Sequence, residues 1–243
     1  MDDDSTTSGH LLGGRVRYVQ PKHGFRSGIE PVLLAASVPA RPGQRVLEGG
    51  TGAGAALLCL AARVADVQGV GIDRDAALVA LAARNAAANN WPWLHFIAAD
   101  LTTPQDQGVF DHAFANPPYH VAGGTPSPDA SRQSAKHGPA DLLAGWAAAL
   151  GRQLRPRGTL TFILPAPLLP YAIAAFAAAR CPATAVLPLW PKAGAVAKLL
   201  LLHGVKDGKA PFRVLPGIVL HETDGRFTSE AEAILRDAAA VQL

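Results

Sequence analysis

Several residue types are scarce in this chain of 243 residues, and each scarcity excludes something. There are two cysteines, Cys59 and Cys181, far apart in sequence. No Cys-x-x-Cys and no His/Cys cluster with zinc-ligand spacing occurs, so the sequence argues for reduced thiols and against a metal site. Charged residues make up only 17% of the chain, and the balance of 22 Lys and Arg against 19 Asp and Glu is mildly basic. That permits a nucleic-acid partner without demanding one. The opening Met1-Asp2-Asp3-Asp4 has no basic stretch leading into an apolar run, which argues against a secretory signal. The longest uncharged run, Gly158 to Ala179, would fit a membrane span in length, but Pro165, Pro167 and Pro170 interrupt it. A buried strand, a proline turn and a helix account for it better, and a cytoplasmic, monomeric protein is expected.

What is abundant is apolar sequence in a regular rhythm. Residues 1–10 are acidic and then Ser/Thr-rich, and disorder is expected there. A single domain is expected over 11–243: a segment covering substrate and cofactor over 11–42, basic from Arg15 to Gly28, a ligand-binding and catalytic core over 43–180, and C-terminal hairpin strands and a helix over 181–243. Pro31 fits the first position of a helix beginning near Val32. From Gly43 onward short apolar strands alternate with helices. Strands are predicted at Arg45 to Glu48, Gly69 to Asp73, His95 to Ala99, Asp111 to Ala115 and Gly158 to Leu164. Helices are predicted at Ala53 to Val64, Asp75 to Asn89, Ala140 to Leu154 and Leu168 to Arg180. Such alternation argues for a parallel sheet covered on both faces. Beyond Cys181 the segments Ala185 to Trp190, Ala197 to Val205 and Phe212 to Leu220 read as strands without an intervening helix, for which hairpin pairing is expected. Ser229 to Glu232 reads as a capping box opening a last helix, Glu230 to Ala240.

The first strand runs into Glu48-Gly49-Gly50-Thr51-Gly52-Ala53-Gly54. Gly50, Gly52 and Gly54 permit unusual backbone angles and the close approach of a ligand, and open α/β sheets bind ligands beyond the carboxyl ends of their strands. The spacing is G-x-G-x-G, not the G-x-G-x-x-G of dinucleotide folds, and no phosphate-binding loop ending in Gly-Lys-Ser/Thr is present. An acid at Glu48 would repel a pyrophosphate and attract a cation. S-adenosylmethionine, with an α-ammonium and a sulfonium, suits such a turn. Asp73 ends the second strand, where a carboxylate can accept from ribose hydroxyls, and Asp100 ends the third, where it can accept from an adenine amino group. Thr51, Arg74 and Leu101, which flank these positions, and Asn116, at the end of the fourth strand, complete the expected cofactor set.

The fourth strand leads into Asn116-Pro117-Pro118-Tyr119, a tetrapeptide that chance would place in on the order of one chain in a thousand of this length. An amide or ring-attached amino nitrogen has a delocalised lone pair and is a poor nucleophile. The Asn116 side-chain oxygen and the Pro117 carbonyl can accept its two N–H groups and leave the lone pair facing a methyl donor. The prolines hold this backbone extended and remove competing N–H donors. Tyr119 offers a flat face for stacking. Catalysis of this kind is mostly positioning and electrostatic preorganisation.

On these residues the chain resembles the class I S-adenosylmethionine-dependent methyltransferases that carry Asn-Pro-Pro-Tyr. Within them it is most similar to the bacterial tRNA(Val) adenine-N6-methyltransferase family. Three further segments carry that likeness: Gly24-Phe25-Arg26-Ser27-Gly28-Ile29-Glu30-Pro31-Val32-Leu33-Leu34-Ala35, the stretch Arg132 to His137, and Phe227-Thr228-Ser229-Glu230. The chain departs from the family pattern at Glu30, usually Asp, at Pro31, usually a small residue, and at Gly138, usually Glu. The resemblance implies a Rossmann-like, seven-stranded, mostly parallel α/β sheet with a final antiparallel hairpin strand. It also implies an RNA partner, expected to be tRNA. Arg26, Arg132 and Lys136 are the candidate substrate contacts together with Tyr119, and a target base would be flipped against Tyr119. The alternatives are a protein-glutamine methyltransferase, a guanine-N2 rRNA methyltransferase, and an inactive RNA- or partner-binding subunit. The first usually carries a helical substrate domain ahead of the glycine turn, and only about 40 residues precede the turn here.

Overall fold

The computed structural model describes residues 5–23, 28–103, 107–118 and 138–243. The chain opens with a two-stranded antiparallel hairpin, β1 (Thr6–Leu11) and β2 (Val16–Pro21), in register from Thr6↔Pro21 to Leu11↔Val16. This corrects the expectation of disorder for its part of residues 1–10. β1 buries little of its own surface, but β2 inserts Val16 and Tyr18 into the core, and backbone pairing holds β1 to it. Local composition could not reveal a strand stabilised by its partner.

After α1 (Glu30–Ser37) the chain alternates as expected: β3 (Arg45–Gly49), α2 (Ala55–Arg63), β4 (Gln68–Asp73), α3 (Ala76–Ala88), β5 (Leu94–Ala98) and β6 (Phe110–Ala115). Then come α4 (Pro139–Arg152), β7 (Leu154–Pro165), α5 (Leu169–Ala178), β8 (Ala183–Lys192), β9 (Leu199–Val205), β10 (Arg213–Val214), β11 (Ile218–His221) and α6 (Ser229–Asp237). The sheet order is β10-β8-β9-β7-β6-β3-β4-β5, with β11 also on β8. β3 to β7 are mutually parallel along this path, and β9 is antiparallel to both β7 and β8. The architecture is a Rossmann-like α/β sandwich with a mixed sheet.

The period-two alternation of each strand feeds two apolar layers. On one face Val46, Phe114, Ile163 and Leu201 pack with Leu33, Leu57, Leu60 and Ile234 of α1, α2 and α6. On the other Leu47, Ile72, Leu160 and Phe162 pack with Leu143, Leu150 and Phe176 of α4 and α5. Phe162 meets Phe176 edge to face, with ring centroids 4.9 Å apart.

The C-terminal reading needs three corrections. The described sheet has nine strands where seven were expected, because Phe212 to Leu220 forms two short edge segments. Both run parallel to β8 rather than in a hairpin. Pro216, lacking an N–H, and Gly217, at φ +86°, break the edge between them, and Trp190 Nε1 donates to Pro216 O there at 3.0 Å. The last helix is capped one residue earlier than expected: the Thr228 hydroxyl accepts from Ala231 N at 3.1 Å. Among the described residues no helix is long and apolar enough to cross a membrane. None of them form a group of three or more His, Cys, Asp or Glu that could hold a metal ion.

A row of polar side chains crosses the buried sheet. His112 Nε2 lies 3.0 Å from Gln44 Oε1, which also accepts from Arg41 N, and His112 Nδ1 lies 2.8 Å from Thr159 Oγ1. Because Gln44 Oε1 is an acceptor only, the Nε2–H donates and Nδ1 accepts from the threonine hydroxyl, which defines a neutral ring. His203 Nδ1 pairs with Thr161 Oγ1 at 3.0 Å. Burial pushes both imidazoles down to about 4. Unfolding restores their ordinary affinity for protons, so the unfolded chain binds more protons between about pH 4 and pH 6.5. Stability is therefore expected to fall as pH drops through that window. Melting temperatures measured at half-unit steps from pH 6 to pH 4 should decline, less steeply in His203→Asn. A flat profile would overturn the assignment.

Candidate cofactor site and catalytic turn

The sheet order places the ends of β6, β3, β4 and β5 side by side, and every described residue of the expected cofactor set lies at one of these ends. Gly50, Gly52 and Gly54 have φ of +67°, +54° and +89°, a left-handed region costly for residues with a Cβ. Gly50 N and Thr51 N donate to Ile72 O at 2.8 and 3.1 Å, folding the turn over the end of β4. A Cβ at Gly50 would lie 2.5 Å from the Trp146 ring of α4, whereas one at Gly52 would meet no atom within 4 Å. The turn is thus packed on one side and open at Gly52.

Glu48 is placed differently from the expectation of a cation-attracting side chain at the mouth. It is only 4% exposed. Its Oε2 accepts from the Thr51 hydroxyl at 2.6 Å and from Leu57 N at 3.2 Å. Leu57 lies in the first turn of α2, whose N-cap is Gly54, a residue without a side chain to serve that turn. Glu48 substitutes as the cap and ties turn to helix. Burial pushes its carboxyl up to about 8, outweighing the two hydrogen bonds, so it is mostly neutral at pH 7.

Asp73 sits at the end of β4, partly exposed. Its Oδ2 accepts from Gly52 N at 2.8 Å and its Oδ1 from Asp75 N at 3.0 Å. A carboxylate has about four acceptor sites, so each oxygen retains capacity for a ligand hydroxyl. Arg74 beside it is exposed. Past the end of β5, Asp100 Oδ1 accepts from Thr102 Oγ1 at 2.7 Å and from Thr102 N at 2.8 Å, which hold its carboxyl below the usual range. Leu101 is buried, and its Cδ2 would lie 2.7 Å from a Cβ at Gly49.

β6 ends at Ala115, in register with Gly49 of β3, so Asn116 and Gly50 leave the sheet as neighbours. Asn116 is half-buried, Pro117 buried and Pro118 exposed. Tyr119, Arg26, Arg132 and Lys136 lie outside the described residues. Sequence reasoning missed Trp146 against Gly50, and it missed Asn85, whose Nδ2 donates to Ala53 O inside the turn at 3.0 Å. Nothing local marks Trp146. Asn85 carried a faint signal, a poor helix former amid alanines.

The neighbourhood of this site is shared with known proteins. The Methyltransferase small domain family matches residues 30–140. A tRNA1(Val) (adenine(37)-N6)-methyltransferase from Actinobacillus succinogenes is 30% identical over 88% of this chain and 89% of its own length. One from Tolumonas auensis is 36% identical over 60% of this chain, which spans only 62% of that relative. Among solved structures, a predicted O-methyltransferase from Agrobacterium tumefaciens superposes with a TM-score of 0.73 at 21% identity, over 88% of this chain and 99% of its own. That likeness speaks for the fold. The fold and the likeness to these methyltransferases define a class I S-adenosylmethionine-dependent methyltransferase, with S-adenosylmethionine as cofactor. Within that class the chain belongs to the family of the Actinobacillus and Tolumonas proteins.

Glu48 gives a direct test of the turn's construction. Folded protein holds the proton between pH 4.5 and about 8 while the unfolded chain does not, so the contribution of Glu48 falls with rising pH, and above about pH 6.5, where the buried histidines no longer oppose it, stability itself should fall. The slope approaches 1.4 kcal/mol per pH unit. Glu48→Gln, which keeps the acceptor oxygen, should flatten it. Urea unfolding at pH 7 and pH 8.5 would show this, and equal pH dependence in both proteins would overturn it.

Proposed function

We propose that this methyltransferase acts on the N6 amino group of an adenine in tRNA. The observation that supports it most is the placement of Asn116 and Pro117 beside the glycine turn, at the end of the strand paired with β3. The curated relatives, named for methylating adenine 37 of a valine tRNA, favour that acceptor.

In this reading the chain holds the cofactor with Asp73 on its ribose, Asp100 near its adenine, and the backbone of Gly50, Thr51, Gly52 and Gly54 along its length, flanked by Arg74 and Leu101. Glu48 acts through the turn, as a positioning residue. When bound, S-adenosylmethionine supplies an electrophilic methyl group. The Asn116 carboxamide oxygen and the Pro117 carbonyl accept the amino N–H groups and turn the nitrogen lone pair toward it. Tyr119 stacks on the target base, and Arg26, Arg132 and Lys136 hold the RNA backbone. The proton leaves after the nitrogen becomes cationic, so no strong general base is required.

Radiolabelled methyl transfer onto total tRNA, total rRNA and protein, followed by nucleoside analysis, tests the acceptor. N6-methyladenosine from tRNA is the expected product, and label in guanosine or in glutamine would overturn the reading. Asn116→Ala should abolish transfer with cofactor affinity nearly unchanged, and activity within about tenfold of wild type would overturn its role. Asp73→Ala should weaken cofactor binding in calorimetry. If it changed only the rate at saturating cofactor, the ribose assignment would fail.

A further inference from the structure

Asn85 of α3 and Asn89, the C-cap of the same helix, stand four residues apart and face the outer edge of β2. Val19 N donates to Asn85 Oδ1 at 3.0 Å, and Asn85 Nδ2 donates back to Val19 O at 2.9 Å. Arg17 N donates to Asn89 Oδ1 at 2.9 Å, and Asn89 Nδ2 donates back to Arg17 O at 2.8 Å. The match is geometric. Four helical residues rise about 6 Å, and two strand residues span about 6.6 Å. Two carboxamides at i and i+4 therefore pair with strand residues i and i+2 as a neighbouring strand would. β2 is hydrogen-bonded to β1 on one side and to this side-chain ladder on the other.

The two asparagines differ in their remaining N–H. Asn89 Nδ2 returns to its own helix, at Asn85 O, 2.7 Å away. Asn85 Nδ2 instead reaches Ala53 O, between Gly52 and Gly54, at 3.0 Å. Asn85 is 2% exposed and its bond to Ala53 O is buried, where a lost partner is costly. The carboxamide thus bonds the hairpin backbone and the cofactor turn at once.

We propose that Asn85 is a positioning residue that couples the β1–β2 hairpin to the glycine turn, so that cofactor binding tightens the hairpin and a loosened hairpin weakens cofactor binding. The reciprocity is thermodynamic: whatever free energy the cofactor adds to the docked hairpin, the docked hairpin returns to the cofactor. The inference rests on the cofactor reading of the turn and is independent of the RNA substrate.

The test uses the full chain and S-adenosylhomocysteine as the probe. In wild type, saturating probe should slow hydrogen exchange at the Val19 amide. Asn85→Ala should abolish that slowing and raise the probe Kd about fivefold or more, at the lower end of ordinary coupling. Asn89→Ala removes as many hairpin bonds but none to the turn, and should leave Kd within about twofold. Equal shifts in the two variants, or none in either, would overturn the proposal in favour of a plain tether. Should Asn85→Ala not fold, Asn85→Asp keeps the acceptor for Val19 N, and the wild-type exchange experiment alone decides: no slowing at Val19 overturns the coupling. Failure of wild type to bind the probe would overturn the cofactor reading itself, and the coupling with it.

Discussion

Three glycines held left-handed at the end of β3 are the constraint on which the rest of this structure depends. A glycine turn left to itself has the largest conformational entropy to lose, so its shape must be imposed from outside. Here the imposition comes from separate elements. Glu48 grips Thr51 and the first turn of α2, Asp73 of β4 accepts from Gly52 N, and Asn85 of α3 donates to Ala53 O. Trp146 of α4 closes the side at Gly50. Both faces of the sheet therefore take part in shaping the turn.

One consequence is that residues read as ligand contacts are also structural. Asp73 holds the turn and retains acceptor capacity toward a ligand. Changes there act on both terms, which is why affinity and rate must be separated when Asp73 is substituted. Asn116 is different: it leaves the sheet beside Gly50, and among the described residues no side-chain hydrogen bond ties it to the turn. A built glycine turn and a proposed catalytic turn set next to it by strand register form two separate parts, and functional sites of this kind vary independently of the fold that carries them.

The core was legible because its signals are local. Asp75, where the helix was expected to begin, caps α3 through Ala77 N and Leu78 N. The strand-end acids were found because apolar runs stop abruptly at them. What was hidden was non-local. β1 has little apolar content, and its stability lies in pairing with β2, itself docked on α3. The broken edge of β10 and β11 lies parallel to β8, and nothing in Phe212 to Leu220 distinguishes a parallel edge from a hairpin. Glu48 read as a charge because sequence does not report burial. Asn85 looked like a defect in a helix, since its four partners come from residues 19, 53 and 89.

The neutral state of Glu48 follows from the same construction. A buried carboxylate needs a fixed counter-charge, or it protonates. With its carboxyl pushed up to about 8 by burial, Glu48 keeps its bonds to Thr51 and Leu57 whether or not a cation lies nearby. Lasting negative charge is left to a more exposed acid, Asp100, which the two Thr102 hydrogen bonds hold ionised. The two carboxyl groups thus differ in kind: Glu48 is a buried part of the turn's scaffold, and Asp100 is an exposed acid past the end of β5.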